Sequence, residues 1–475
     1  MHLLTVLAVL TIVGVKSETP DVPTLVGCPL VSDTVTEIAL KLKTEDSKKR
    51  DVAYLVDWGD GSATGWSRYL QSGIETEQYH IYNKTGKMNI RVRARAQTFS
   101  LSDTVPTDWS RPCSVKVVPN LAIWKFPLPS GTFCSAALDT AGNVYFGDEA
   151  GWFYSVTPQG KLRWQFRVDD TLEGMVSAGA AVGNNAVYFP CEDKHLYCLS
   201  LAGKRLWSYR TASPVVAAPA LAADGMVYCA DDSGIVYCLN SQGILKWTFT
   251  TNDEVDNGPT IGPDGTIYVP SDSLYALTPG GKRLWAQGAQ EEDNPFYGAS
   301  IGPDNEVYAS NKDGYLYHLD PKSGRILWRA PSGDEEEMHG EPVFGPDNTI
   351  YFGSDDYYLN AVSKDGSSLR QLIETDDQIR ATPAVNSKGT IYFLSKDGFM
   401  YALLPDGKLK WKRQIGTGDY DWTPSSPVIG PDGTVYVGSY DEGFYAFSGD
   451  GAPLAGKWSM LRGNAQHTGR AVKTK

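Results

Sequence analysis

The 475-residue sequence is poor in the residues from which most active sites are built. Its six histidines (His2, His80, His195, His318, His339 and His467) are too scattered for a three-ligand zinc site. Its seven cysteines (28, 113, 134, 191, 198, 229 and 238) form no C-x-x-C and no adjacent pair. An odd count leaves at least one unpaired in a monomer. The zincin H-E-x-x-H and the P-loop G-x-x-x-x-G-K-[ST] are both missing. No catalytic, cofactor-binding or metal-binding residue is therefore assigned. Positive charge is also short, with 43 Lys and Arg against 56 Asp and Glu, a net −13. That balance argues against nucleic acid and anionic membrane as main partners and fits a cationic partner, a metal ion or no partner better.

Long apolar runs are lacking too. The one candidate, Leu3–Val15, is too short to span a bilayer but suits the core of a signal peptide, with Val15 and Ser17 small enough for the −3 and −1 positions. Residues 1–17 are read as that signal, so the mature chain is exported, without stable membrane insertion.

What the chain has in abundance is repetition. "IGPDGTIYV" at 261 returns as "IGPDNEVYA" at 301, "FGPDNTIYF" at 344 and "IGPDGTVYV" at 429. Tryptophans recur at 124, 164, 207, 247, 285, 328, 411 and 458, and "LRQL" at 369–372 fills the one missing place. Tyrosines stand in pairs nine residues apart, such as 228/237 and 392/401. Each unit reads as four short strands, A to D, with Pro-Asp-Gly shaping the A–B turn. Eight such units of about forty residues are the signature of an eight-bladed β-propeller, here residues 119–475. "LAIWKF" at 121–126 is expected to supply the outer strand of the last blade, and the tail "GKWSMLRGNAQHTGR" to pack elsewhere.

"HLDPKSGRILW" at 318–328 and "ALLPDGKLKW" at 402–411 resemble the blade-docking motif of the PQQ-like (pyrroloquinoline-quinone-type) propeller family. The resemblance implies that Trp164, Trp207, Trp247, Trp285, Trp328 and Trp411 dock neighbouring blades. It says little of function. Residues 18–118 have a different grammar. "WGDGS" at 58–62 and "HIY" at 80–82 resemble a PKD-type (polycystic-kidney-disease) domain, which implies an immunoglobulin-like β-sandwich. Cys28 and Cys113 bracket it. They are either a disulfide, worth roughly 4–5 kcal/mol by chain entropy, or two buried thiols. The fold class is thus all-β.

Acidic residues crowd the D–A loops: Asp253 and Glu254, Glu291 and Glu292, Asp334, Glu335 and Glu336. The B–C turns on the same face add more, while lysine and arginine occupy the C–D turns opposite. This face is the expected docking surface, with weak calcium binding as its only metal option. Aligning the repeats puts Phe133, Val176, Val216, Asp256, Phe296, His339, Arg380 and Pro424 at the rim of the central channel. Tyr297, His339, Arg380 and Trp422 form its candidate small-ligand group. The expected protein is a monomeric, exported, non-enzymatic scaffold of the BamB-like kind from a bacterial periplasm, surface or medium, binding protein or polysaccharide. A calcium- and quinone-dependent dehydrogenase with a reduced propeller is the alternative.

Overall fold

The structure, a computed structural model, describes residues 6–8, 20, 31–33, 37–74, 76–81, 86–97, 106–118, 122–169, 174–289, 294–333, 335–416, 425–441 and 443–471. Cys28, the side chain of Cys113, Glu291, Glu292, Asp334, Trp422 and Pro424 lie outside the described residues. So does the 1–17 run apart from Val6–Ala8, which pairs in parallel with Ile38–Leu40. The chain divides into two units, residues 1–121 and 122–475. Among the described residues no helix is long and apolar enough to cross a membrane.

The second unit is a ring of eight four-stranded antiparallel sheets. In the fourth blade, Thr260–Ile261, Ile267–Pro270, Ser273–Leu277 and Arg283–Gly288 follow one another from the axis outward. The first three strands are almost wholly buried and the fourth alternates, because only the outer strand meets water on one face. In the A–B turn Gly265 has φ +92°, and Asn305 and Asn348 take the same left-handed conformation where glycine is replaced. The eighth blade is composite. Val428–Ile429, Val435–Ser439 and Gly443–Phe447 take Ala122–Pro127 as fourth strand, with Trp124 opposite Ala446. Closing the ring with both ends of the unit removes its last open edge, as the sequence reading expects.

The tryptophans join each blade to the next. The Nε1 groups of Trp124, Trp164, Trp207, Trp247 and Trp285 donate to carbonyls of Pro158, Leu201, Ser241, Pro279 and Pro321 in the following C–D turn. The turn glycine lies flat on the ring: a Cβ on Gly281 would sit 2.6 Å from Trp247. In the sixth blade, which has no tryptophan, the β-bulge moves to Leu359/Asn360 and Leu372 takes the place under Gly407. Trp458 is not a blade tryptophan and belongs to the tail.

That tail is the largest departure from the repeat. It runs along the inner A strands, and their N–H groups donate to its carbonyls: Phe344 to Trp458, Val385 to Ser459, Leu138 to Ala465, Val182 to Gln466, Leu221 to Thr468 and Ile261 to Gly469. Six of the eight innermost strand edges are thereby satisfied by one non-repeating segment. Trp458, Arg462 and His467 are buried within it.

In the first unit, Val31–Asp33, Cys113–Val118, Gly86–Ala96 and Val52–Asp57 form one sheet, in that order. Val6–Ala8, Glu37–Leu42 and Thr76–Ile81 form a second. Its core holds Leu42, Tyr54, Val56, Trp58, Ile90 and Val92. The two motifs singled out in the sequence meet: Trp58 stacks on His80 at 4.8 Å, and His80 Nε2 lies 2.9 Å from Asp60. Arg91, Arg93 and Arg95, alternate residues of one strand, interleave with Trp109, Trp66 and Tyr69 at 4.4–5.5 Å.

Candidate functional site

In a propeller the D–A loops and B–C turns emerge on one face, and here hydrogen bonds strap them together. The backbone N–H groups of Glu149, Glu192, Asp232, Lys312, Asp355 and Lys396 each donate to a carbonyl of the neighbouring D–A loop, from Gly131, Met175, Pro214, Pro295, Glu337 and Gln378. These residues are therefore equivalent positions on successive blades. Beside each, a second turn residue is spent on structure. Asp148, Asp193, Asp231, Asp272, Asp397 and Asp441 accept the hydroxyls of Tyr154, Tyr197, Tyr237, Tyr275, Tyr401 and Tyr445 at 2.5–2.8 Å. Asp313 takes Tyr317 in the same way. The nine-residue tyrosine spacing is the mark of this clasp. It withdraws about one aspartate per blade from the acidic face expected of the sequence.

The inner rim departs from the sequence alignment by one residue at two positions. Val176 and Phe296 are buried and pack beneath the rim, while the half-exposed Ser177 and Tyr297 stand in their places. The slip follows from strand alternation, since a shift of one residue turns a side chain to the other face. Tyr297, His339 and Arg380 do come together. Tyr297 stacks on His339 with ring centroids 4.4 Å apart. His339 Nε2 lies 3.2 Å from Glu337 Oε2 and 3.6 Å from Asp355 Oδ2. Arg380 clasps Asp355 through Nε, 2.9 Å from Oδ1, and Nη2, 2.5 Å from Oδ2. Glu337 and Asp355 were not singled out in the sequence, where nothing separates them from the many other acids.

The charges around the mouth are uneven. Burial raises the Asp355 carboxyl, but His339 and Arg380 outweigh it and hold it below the usual range. Burial pushes Tyr297 up to about 12, helped by Glu337 and Asp256. Across blades one to four the carboxyls of Glu149, Glu192, Glu254 and Asp256 are raised instead. Glu149 is raised by burial and then by Asp148 and Glu192. Glu192 is raised by burial and by Asp232, against its bond from Ser177. Glu254 and Asp256, exposed on their loop, are still raised by partial desolvation and by the Asp232 carboxylate beside them, with His339 and Lys312 offsetting part of the rise at Asp256. Of the residues marked from sequence as an acidic surface, Asp253, Glu254, Glu335 and Glu336 are exposed on these loops.

The comparisons with known proteins agree on the scaffold. No curated protein sequence matches the chain. Among solved structures it is similar to the computationally designed protein Ika8, at 17% identity and TM-score 0.57 over 69% of this chain and all of that one. BamB from Moraxella catarrhalis matches at 18% identity and TM-score 0.55, over 69% of this chain and 97% of that one. A europium-containing methanol dehydrogenase matches at 15% and 0.54, over 67% and 85%. At such identities the likeness is one of fold. The family profile described as outer membrane protein assembly factor BamB matches residues 149–278 and 232–457, well over half of the chain, and the protein belongs to that family of PQQ-like propellers.

Proposed function

We propose that the protein is an exported, non-enzymatic scaffold of the bacterial cell envelope, whose propeller mouth docks a cationic protein segment. One observation carries this reading. Glu149, Glu192, Glu254 and Asp256, with Asp232 among them, form an arc in which burial and then neighbouring carboxylates raise the proton affinity of the first four. An arc of mutually repelling carboxylates costs folding stability, and a bound cation relieves it. A planar quinone bearing several carboxylates is poorly matched to such a rim. Tyr297 and Arg380, which could grip it, are already engaged with His339 and Asp355. The first unit is read as the PKD-type sandwich that "WGDGS" and His80 suggest, and residues 1–17 as its export signal.

The test is fluorescence anisotropy of a labelled Lys/Arg-rich peptide against the full chain. Affinity should fall steeply with salt, and the triple change Glu149→Gln, Glu192→Gln and Asp232→Asn should weaken it at least tenfold. Neutralising Asp376 and Glu374, exposed away from the arc, should change it less than twofold. Equal losses from both sets would reduce the arc to general surface charge.

A further inference from the structure

We infer that Glu337, His339 and Asp355 form a binding site for a single divalent transition-metal ion, zinc being the best fit. The three residues offer one ligand atom each, all within 4.8 Å of one another. The measured separations are more telling. A tetrahedral ion with ligands at about 2.0–2.1 Å holds those ligands roughly 3.3–3.4 Å apart, and His339 Nε2 lies 3.2 Å from Glu337 Oε2 and 3.6 Å from Asp355 Oδ2.

The local fold imposes this arrangement. Glu337 and His339 flank Met338, which is fully buried, so both project from the same side of the loop. Asp355 is strapped to that loop by its own N–H, which donates to the Glu337 carbonyl at 2.9 Å. Outside cations hold both carboxylates. Lys312 Nζ lies 3.8 Å from Glu337 Oε1, leaving Oε2 turned toward the imidazole. Arg380 grips both oxygens of Asp355, Nε 2.9 Å from Oδ1 and Nη2 2.5 Å from Oδ2, and Oδ2 also faces the imidazole. Tyr297, stacked on the ring, fixes its plane. Partners of this kind orient metal ligands.

A second observation points to an occupant. His339 Nε2 is buried, yet it makes no hydrogen bond of acceptable geometry although two carboxylate oxygens face it. A buried imidazole nitrogen normally has a partner, and an ion placed between the three atoms supplies one. The imidazole also decides the class of ion. It suits zinc, nickel, copper or cobalt, whereas calcium and magnesium prefer all-oxygen shells. Lys312 and Arg380 offset the two carboxylates, so the affinity expected is moderate. The inference does not depend on the docking reading, because it concerns ions and a different sector of the mouth.

The experiment uses the untagged full chain, stripped with a chelator and titrated with Co²⁺ while the visible d–d absorption is followed. Zn²⁺ is then added in competition. One equivalent of Co²⁺ should produce a tetrahedral spectrum that Zn²⁺ abolishes. His339→Ala should weaken Zn²⁺ binding, read by calorimetry, at least thirtyfold, while Glu335→Gln, an exposed acid on the same loop, should leave it within twofold. The wild-type spectrum needs no variant, so poor folding of His339→Ala would not shield the inference. It is overturned if no Co²⁺ spectrum forms, if folded His339→Ala binds zinc as the wild type does, or if Ca²⁺ competes as well as Zn²⁺. In those cases the three side chains merely share a proton, or the acidic loops attract ions without selection.

Discussion

Arg462 lies 3.3 Å from Glu341 with neither side chain more than 1% exposed. Glu341 also accepts from Trp458 Nε1 at 2.8 Å, and Arg462 donates to the Gly258 carbonyl at 2.8 Å. The pair therefore anchors the tail to the A-strand approaches of two different blades. Removing one member strands the other as a buried charge, which costs about 3–5 kcal/mol. Glu341→Ala should lower the stability of the second unit by that amount. The double change Glu341→Leu with Arg462→Met should cost less than the two single changes combined. Urea unfolding of the full chain, with hydrogen exchange assigning each transition to its unit, checks both. Additive losses would mean that the two side chains act separately.

Blade docking gives a sharper contrast between neighbours. Gly281 has φ +80°, and a Cβ there would meet the Trp247 ring at 2.6 Å. At Gly280 the nearest atom is Thr278 Oγ1, at 3.8 Å. Gly281→Ala combines left-handed strain with overpacking and should cost about 2–4 kcal/mol. Gly280→Ala should be nearly neutral. Thermal unfolding of the two variants side by side decides the point, and similar midpoints would remove the tryptophan stack from the account of stability.

The blades were legible in the sequence because each repeats the same side-chain tasks: a tyrosine for its turn aspartate, a tryptophan for the next turn's glycine, a turn residue that tolerates positive φ. The closing strand around Trp124 could be placed for the same reason. The tail could not, since its partners are backbone N–H groups of Leu138, Val182 and Val385, which any sequence presents. Trp458 follows the period closely enough to be counted with the blade tryptophans, yet its Nε1 serves Glu341. At the mouth, Tyr297, His339 and Arg380 were visible as exceptions to the repeat. Glu337 and Asp355 became distinct only when the loop and the turn were strapped together. The arginine ladder was half legible: alternation reveals Arg91, Arg93 and Arg95 as one face of a strand, but no spacing rule assigns them Trp66 and Trp109.

In the first unit, Asp60 accepts from Ser62 and faces His80, and these bonds outweigh burial to lower its carboxyl to about 2 from the ordinary 3.8. A depressed pKa adds stability at pH values above the unfolded value, and the gain is lost as pH falls through the folded one. The contribution, on the order of 2 kcal/mol, should be complete above pH 5 and fade between about pH 4 and 2. Pepsin digestion of the full chain should therefore release fragments of residues 37–118 increasingly over that range. Asp60→Asn should be cleaved more readily at pH 4 and show little further change toward pH 2. A wild-type rate that is flat across the interval would contradict the assignment.

The acidic arc should respond to pH in the opposite sense. Glu149, Glu192 and Asp256 are raised by burial and by their acidic neighbours. A carboxyl whose folded pKa is raised binds its proton more tightly when folded, so its contribution is most favourable at low pH and is lost as pH rises through the folded value. From pH 7 down toward 5 the arc should therefore stabilise the second unit while Asp60 leaves the first unchanged. Glu192→Gln removes one repelling charge and should raise the unfolding midpoint of the second unit at pH 7, with a smaller gain at pH 5. Ser177, which donates to Glu192 at 2.6 Å, can still donate to the amide oxygen, so the change leaves the rim's hydrogen bonding largely intact. Differential scanning calorimetry at the two pH values measures the difference directly. If Glu192→Gln destabilised the second unit equally at both, the carboxylate would be held by its hydrogen bond and the arc would exert no net repulsion for a cationic partner to relieve.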